Sequence, residues 1–573
     1  MIAGHRGWLS LGLVLGLLAL AIQVAVPAVA RLAIDAAIDG DRDGLDAATI
    51  ALIALGAGRM VFGGLYRFAL FRTAYEIETD LRAIIYEHLT RLSFSFYDRT
   101  QSGQVISRAN SDIRSIQVYL AFAPLVAMSV LTFVLALGLM LTIHVPLTLV
   151  SLATLPGVYI AAQRLRNLAF PLSWLTQARM ADLATIVDEN ISGIRVVKSF
   201  AAEPRQVDLL ARAAQRLKWS AVETIRARAR YNPLIEALPR VGTALVLLYG
   251  GWLAIDDQVS IGTLFAFSAY VIMLQVPFRL LGFLLLQGER AGAAADRIYQ
   301  ILDEEPEIDN ALDAVALDAA EGRVEFRNVS FSYPTATEDS ARPAVLSGLS
   351  FTVEAGETVA VVGRTGSGKS TVARLLARFY DVDTGSVLLD GHDVRRVSLP
   401  CLRHSVGIVF DEPFLFSTTL RDNIAYGRPD ASDDRIEAAA RAAQAHDFVA
   451  ALPAGYDTVV GERGYTLSGG QRQRIAIART LLTDPAVLVL DDATSAVDVA
   501  VEARIHASLR RLLGTCTTIL IAQRLSTIAL ADRVLLLDQG HVVATGTHRE
   551  LLSSQPLYSE ILADTGTSEA VSG

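Results

Sequence analysis

The stretch VAVVGRTGSGKST, from Val359 to Thr371, decides how this chain is to be read. Four apolar residues suited to a buried strand run into a glycine-rich loop, and the VARLLARFY that follows has a helical period. Gly363, Gly368, Lys369 and Ser370 fit the spacing G-x-x-x-x-G-K-[ST]. In such a loop the backbone N–H groups of Arg364, Thr365, Gly366 and Ser367 turn inward around an anion, and the helix opening at Ser370 and Thr371 adds its partial positive charge. Lys369 then reaches the β- and γ-phosphates, and the Ser370 hydroxyl can ligate Mg²⁺. Of the 51 basic residues only Lys198, Lys218 and Lys369 are lysines. A chain that otherwise writes Arg keeps Lys where a compact, flexible point charge suits phosphate.

At 573 residues the chain is too long for one core. Its 52% hydrophobic content, 19% charged residues and mean hydropathy of +0.38 point to a membrane, so the lipid bilayer is an expected partner. The two cysteines, Cys401 and Cys516, lack a C-x-x-C spacing and read as reduced cytosolic thiols. The net charge of −9 has a local source, because LDEEPEIDNALDAVALDAAEG (Leu302 to Gly322) carries eight acidic and no basic residues. No basic stripe suggests nucleic acid.

Six apolar runs approach the length needed to cross a hydrocarbon core of about 30 Å: Trp8 to Ala30, Ala47 to Tyr66, Val118 to Thr142, Val145 to Ala162, Leu238 to Ile255 and Ile261 to Leu286. The first exceeds a secretory signal's apolar region and is followed by five more, so it reads as a retained span. Seven arginines from Arg67 to Arg114 separate the second and third runs, and twelve basic residues from Arg164 to Arg230 separate the fourth and fifth, whereas AIDDQV has none and the first outer loop is acidic. The basic loops therefore face the cytosol, and six spans return the phosphate loop to that side. From Ala47 to Phe96 no proline or breaker cluster intervenes, which predicts a helix that projects beyond the bilayer. Ser173 to Arg230 behaves alike, with Pro233 and Pro239 as its first strong interruptions after Pro204. Pro277 is expected to kink the last span. Arg59, Arg67 and Arg279, in or near apolar runs, are candidates for a substrate cavity and lean toward anionic or amphipathic cargo; snorkelling at the inner leaflet is the alternative.

Beyond the acidic stretch, RVEFRNVSFSYP alternates like a strand and ends near Tyr333, an aromatic able to stack on a base. In YTLSGGQRQRIAIARTLL (Tyr465 to Leu482), Leu467 is followed by Ser468, Gly469, Gly470 and Gln471 at the start of a helix, a second anion-receptive helix start. AVLVLDDATSAVD then gives a buried-type strand ending in Asp491 and Asp492, where a carboxylate can hold Mg²⁺ beside a phosphate.

These residues together resemble a half-transporter of the ATP-binding cassette (ABC) exporter family, over essentially the whole chain. The resemblance implies a membrane all-α domain of six helices (1–300), an acidic linker (301–322), a P-loop α/β nucleotide-binding domain with a helical subdomain (323–565) and a tail (566–573). It implies ATP and Mg²⁺ as cofactors, with Ser370, Asp491 and Asp411 toward the metal and Ser495 and Asp498 in the loop after the aspartates. Two halves pair head to tail, so that each ATP lies between the phosphate loop of one and the LSGGQ of the other. FSFYDRTQ (Phe94 to Gln101) and SFAAEPRQ (Ser199 to Gln206) correspond to short cytosolic coupling helices.

Three positions depart from the family. Asp492 stands where a glutamate that polarises water is expected, Gln523 where a histidine contacts the γ-phosphate, and Asp411 where a glutamine is expected. Loss of a general base removes about 10² to 10⁴ in rate, or about 3 to 5 kcal/mol. The expectation is a site that binds ATP and turns it over slowly, while the intact LSGGQ completes a competent site on a non-identical partner with Glu and His in place and an altered LSGGQ of its own. The reading is export of amphipathic or hydrophobic substrates by a heterodimer. An importer on the same fold, for a lipid or siderophore, and an ATP-occupied regulatory subunit stay open beside it.

Overall fold

The computed structural model describes residues 2–317, 320–334, 343–461, 464, 466–493, 501–505, 507–508, 516–522 and 524–571, and structural statements below concern these. They form two compact units, Met1–Thr90 with Gly103–Asp303, and Arg91–Ser102 with Glu304–Gly573.

The first unit is helical. Six helices are long and apolar enough to cross a membrane: α1 (Arg6–Asp39), α2 (Arg42–Arg91), then, beyond the short α3 (Phe94–Arg99), α4 (Ser102–Ile143) and α5 (Val145–Ser192), and finally, beyond α6 (Ile194–Ser199), α7 (Glu203–Ile255) and α8 (Ile261–Leu302). The 50 residues of α2 span about 75 Å, as its breaker-free sequence predicts. Proline reads differently in place. Pro233 and Pro239 both lie inside α7, which continues through them, so they are not the interruptions expected. Neighbouring helices and local adjustment satisfy the freed carbonyls in such spans. The break falls instead at Phe200–Ala202, where Ala201 adopts φ 48°. SFAAEPRQ is therefore a turn plus the first turn of α7 and not a separate coupling helix. Near Pro277 the helix is interrupted at Leu274 and Gln275, with the proline in the first turn of the segment that resumes at Val276.

Large apolar side chains fill the space between these helices. Leu20, Val24, Met140, Leu147, Val246 and Phe267 share one buried cluster, and the Tyr270 hydroxyl donates to the Val24 carbonyl at 3.0 Å. At one end the Asp35 carboxylate accepts from Ser260 Oγ (2.7 Å) and the Gly262 N–H (2.9 Å), capping α8 from α1. Along α4, a π-helical turn at Arg108–Asp112 is pinned by Arg297, which donates twice to the buried Asp112 carboxylate.

The second unit is α/β. An antiparallel sheet of order β2-β1-β4-β5 uses β1 (Val324–Phe331), β2 (Leu346–Val353), β4 (Thr384–Leu389) and β5 (His392–Asp393). A six-stranded sheet runs β10-β9-β3-β8-β7-β6, with β3 (Thr358–Gly363), β6 (Val406–Val409), β7 (Val487–Asp491), β8 (Thr517–Ile521) and β9 (Arg533–Asp538) parallel and β10 (His541–Gly546) antiparallel at the edge. Continuous apolar runs suit strands covered on both faces, and all six residues of β3 are buried. Three helices matter below: α9 (Lys369–Leu376), α10 (Asp433–Ala442) and α11 (Gly469–Leu481).

The linker is fastened at its end. The N–H groups of Glu321, Gly322 and Arg323 all donate to the Asp390 carboxylate. The chain's last helix, Pro556–Val571, runs across the position expected to begin a tail at 566. The segment Arg91–Ser102 packs within this unit. Phe94 stacks on Phe379 at 4.4 Å, the Tyr380 hydroxyl donates to Asp98, and Ser95 donates to Glu307 at 2.5 Å. Of the two coupling segments expected, this one is a helix, α3.

Candidate functional site

In open parallel sheets the carboxyl ends of the strands form the crevice where ligands bind. Here β3 delivers the glycine loop, and β7, one strand removed across β8, delivers the two aspartates to the same edge. The loop geometry depends on glycine at two positions. A Cβ on Gly363 would strike the Leu537 carbonyl, and one on Gly368, at φ 97°, would lie 2.5 Å from Leu346 Cδ2. Gly368 turns the chain directly into α9.

Lys369 is buried, and its ammonium donates to the carbonyls of Gly363 (2.8 Å) and Arg364 (2.9 Å). Burial pulls its pKa down, opposed by the charges of Asp492 and Asp491. The Ser370 hydroxyl donates to Asp491 Oδ1 at 3.1 Å. Asp491 closes β7 and is half-buried; burial pushes its carboxyl up, with Asp411 adding to the rise and the Ser370 hydrogen bond opposing it. Asp492 is raised by burial first and then by Asp411 and Asp491. Three carboxylates thus share one neighbourhood. Asp411 itself is exposed, on the segment after β6, and its carbonyl accepts from Gln473 Nε2 at 3.4 Å.

This donor set suits a hard divalent cation beside an anion, which wants oxygen ligands. The hydroxyl and carboxylate of Ser370 and Asp491 are already paired, and Ser367 Oγ is buried in the loop with no hydrogen-bond partner. An orphaned buried hydroxyl in a phosphate-type loop is a polar group waiting for an acceptor or donor.

Tyr333 is placed differently from a free stacking platform. Its ring packs edge-on to Phe331 (4.9 Å) and Tyr380 (5.2 Å), while its hydroxyl shares a hydrogen bond with Thr371 Oγ1 and accepts from Arg374, both at 3.1 Å. It is tied to the phosphate-loop helix through Thr371, and Arg374 is a neighbour the sequence did not single out.

LSGGQ opens α11. Ser468 Oγ accepts from the Gln471 N–H and Gln471 Oε1 accepts from the Ser468 N–H, a reciprocal cap, with Gly469 and Gly470 between them and Leu467 buried beneath. Gln523, Ser495 and Asp498 lie outside the described residues, as does the Arg279 side chain.

Within the helical unit a cavity of about 850 Å³ opens between α4, α5, α7 and α8. Its charged lining is Arg166, Arg228, Arg290 and Glu236. Arg59 and Arg67 stand exposed on α2 and do not line it. Arg166 and Arg290 each sit four residues past the cytosolic end of an apolar run and Arg228 ten residues before one, but which helices enclose a space is not written in hydropathy.

Comparison with known proteins gives the family. Residues 9–278 match the model described as ABC transporter transmembrane region, and residues 346–495 the one described as ABC transporter. The chain is 39% identical over 559 residues to a multidrug efflux ATP-binding/permease protein of Mycobacterium bovis, covering 98% of the chain and 46% of that protein, so it spans about half the relative's length. It is 37% identical to an uncharacterized ABC transporter ATP-binding protein of Bacillus subtilis (95% of this chain, 93% of the relative) and 39% identical to an ATP-dependent lipid A-core flippase of Syntrophus aciditrophicus (85% and 80%). Among solved structures, an ATP-bound bacterial Atm1-family ABC exporter superposes with TM-score 0.80 at 31% identity, covering 98% of both chains. With six apolar helices and such relatives, the chain is a multi-pass membrane protein whose second unit lies in the cytoplasm.

Proposed function

Because the chain belongs to the ABC transporter family, we propose that it is one subunit of a heterodimeric ATP-driven exporter of amphipathic or hydrophobic substrates. The observation that carries this reading is Asp492, a short carboxylate at the sheet edge beside Asp491, where a longer one would reach further toward an attacking water. The chain's own residues give the division of labour. Lys369, the loop N–H groups from Arg364 to Gly368 and the first turn of α9 bind the phosphates of ATP, with Tyr333 toward the base. Ser370, Asp491 and Asp411 would hold Mg²⁺, which when bound neutralises phosphate charge. Asp492 and Gln523 leave water activation weak, so ATP is gripped and slowly cleaved. Ser468 to Gln471 completes the partner's pocket, and α3, stacked on Phe379, carries nucleotide-driven movement toward the membrane spans.

In the mycobacterial relative the 559 aligned residues are 46% of the protein, which leaves room in one polypeptide for a second half to pair with the first. The test is turnover by the purified chain alone and with its co-expressed partner. Slow turnover alone and fast turnover together supports the assignment; equal rates overturn it.

A further inference from the structure

We infer that the cavity between α4, α5, α7 and α8 binds an amphiphile whose head carries a phosphate-like anion. This rests on the exporter reading above and gives it a substrate class. The space is large enough for a sizeable ligand, at about 850 Å³, and its walls differ along its depth.

Depth follows from helix rise. Counted at 1.5 Å per residue from the outer ends of their helices (Val145 on α5, Ile255 on α7, Ile261 on α8), Val158, Ala162 and Phe278 lie within the roughly 30 Å of a hydrocarbon core. Arg166 and Glu236, at about 30 Å, fall at its inner boundary. Arg228 and Arg290, at about 40 Å, reach headgroup depth, together with Trp174. The cavity therefore has an apolar roof, and a boundary layer and floor where arginines stand among Ala169, Phe170, Trp174 and Leu286.

Three guanidiniums face one carboxylate, so the lining is net positive. None of Arg166, Arg228, Arg290 and Glu236 forms an ion pair among the described residues, although arginines elsewhere in the unit, such as Arg297 with Asp112 and Arg82 with Glu78, do. Unpaired arginines at the edge of a low-dielectric space are matched by an anion, and their forked donors suit a phosphate or carboxylate. A soluble anion would make no contact with the apolar part of the lining that Ala162, Leu165 and Phe283 present to the cavity. A neutral amphiphile would leave the floor unmatched. A body that fills the roof and a head that meets Arg228 and Arg290 answers both. Glu236, at the boundary, opposes an anionic head and limits its affinity, which suits a cargo that must also be released.

The experiment uses the full chain in a neutral detergent, with Trp8, Trp219 and Trp252 replaced by Phe so that Trp174 reports from the cavity floor. The probes are dioctanoyl phosphatidic acid, dioctanoyl phosphatidylcholine and inorganic phosphate. The expected result is saturable change in Trp174 emission with phosphatidic acid, at least about tenfold weaker with each of the other two. Arg290→Gln and, separately, Arg166→Gln should weaken phosphatidic acid by about tenfold, and Glu236→Gln should tighten it. Retention of radiolabelled phosphatidic acid on the immobilised native-tryptophan chain provides the same comparison if the single-tryptophan form does not fold. Equal affinity for the two lipids, full competition by inorganic phosphate, or indifference to all three substitutions in chains that elute and melt normally would overturn the assignment. Neither nucleotide nor partner takes part, so the two readings fail separately. Binding without ATP turnover in the assembled pair removes the exporter and leaves the cavity, and turnover with no lipid preference does the reverse.

Discussion

Lengthening one side chain tests the asymmetry of the nucleotide site directly. Asp492→Glu advances the carboxylate by about 1.5 Å, one carbon–carbon bond, without moving the backbone, which is held by the Asp492 N–H to the Ile521 carbonyl at 3.0 Å. The backbone there has φ 48°, a left-handed conformation in which Asp is better tolerated than Glu, so the change should cost about 1 kcal/mol of stability. General bases contribute about 10² to 10⁴. Restoring reach alone should raise ATP turnover by about tenfold, about 1.4 kcal/mol, and adding Gln523→His should bring the gain to about 10², about 2.7 kcal/mol. The assay is phosphate release by the chain with its partner when the partner's own catalytic glutamate is Gln, so that only this pocket reports. Asp492→Asn is the control and should remain at or below the starting rate. Unchanged turnover in the double substitution, with ATP still bound and the melting temperature only slightly lowered, would refute the idea that reach at this position limits the chemistry.

Other consequences follow from the same geometry. Lys369→Ala removes the donor to the Gly363 and Arg364 carbonyls as well as the phosphate contact, so ATP photolabelling should fall more than tenfold and stability by about 1 to 3 kcal/mol. The raised carboxyls give a signed pH dependence. Raised values favour the protonated form in the nucleotide-free fold, so this contribution to stability is present at low pH and lost as pH rises through them. Mg²⁺ needs the ionised form, so MgATP affinity should weaken as pH falls, starting from a higher pH than an ordinary aspartate would give, with proton release measurable by calorimetry. Asp411→Gln should lower both carboxyls and shift that onset downward. Phe94→Ala loses a stacked pair worth about 0.5 to 1.5 kcal/mol and should leave ATP binding unchanged while reducing transport measured in vesicles.

What could be read from the sequence follows how local its cause is. The phosphate loop was legible because β3, Gly368 and α9 are contiguous and each residue's requirement is set by its neighbours in the chain. The spans were legible because a bilayer imposes one length on every helix. Proline misled for a related reason. Its clash with the preceding turn is local, but whether a helix continues through Pro233 and Pro239 depends on neighbours that re-satisfy the freed carbonyls. The break at Phe200–Ala202, by contrast, is signalled locally, because Pro204 sits in the first turn of α7, where a proline suits a helix start.

The cavity shows the same division more sharply. Arg59 and Arg67 were singled out by depth in an apolar run, which is a property of α2 alone, whereas membership of a cavity is a property of four helices at once. Arg166, Arg228 and Arg290 come from three different helices, separated by long stretches of sequence, and nothing along any one of them distinguishes a cavity wall from a snorkelling arginine. Tyr333 sits between these cases. Its place at the end of β1 was readable from alternation, but the Phe331 and Tyr380 rings that fix its edge, and the Thr371 and Arg374 groups that hold its hydroxyl, come from the fold. A base meeting Tyr333 therefore meets a ring whose orientation is already determined, so stacking there costs little ordering of the side chain. Tyr333→Phe should accordingly weaken ATP only slightly, through lost anchoring, while Tyr333→Ala should weaken it by the full stacking contribution, a split that equilibrium nucleotide binding can read.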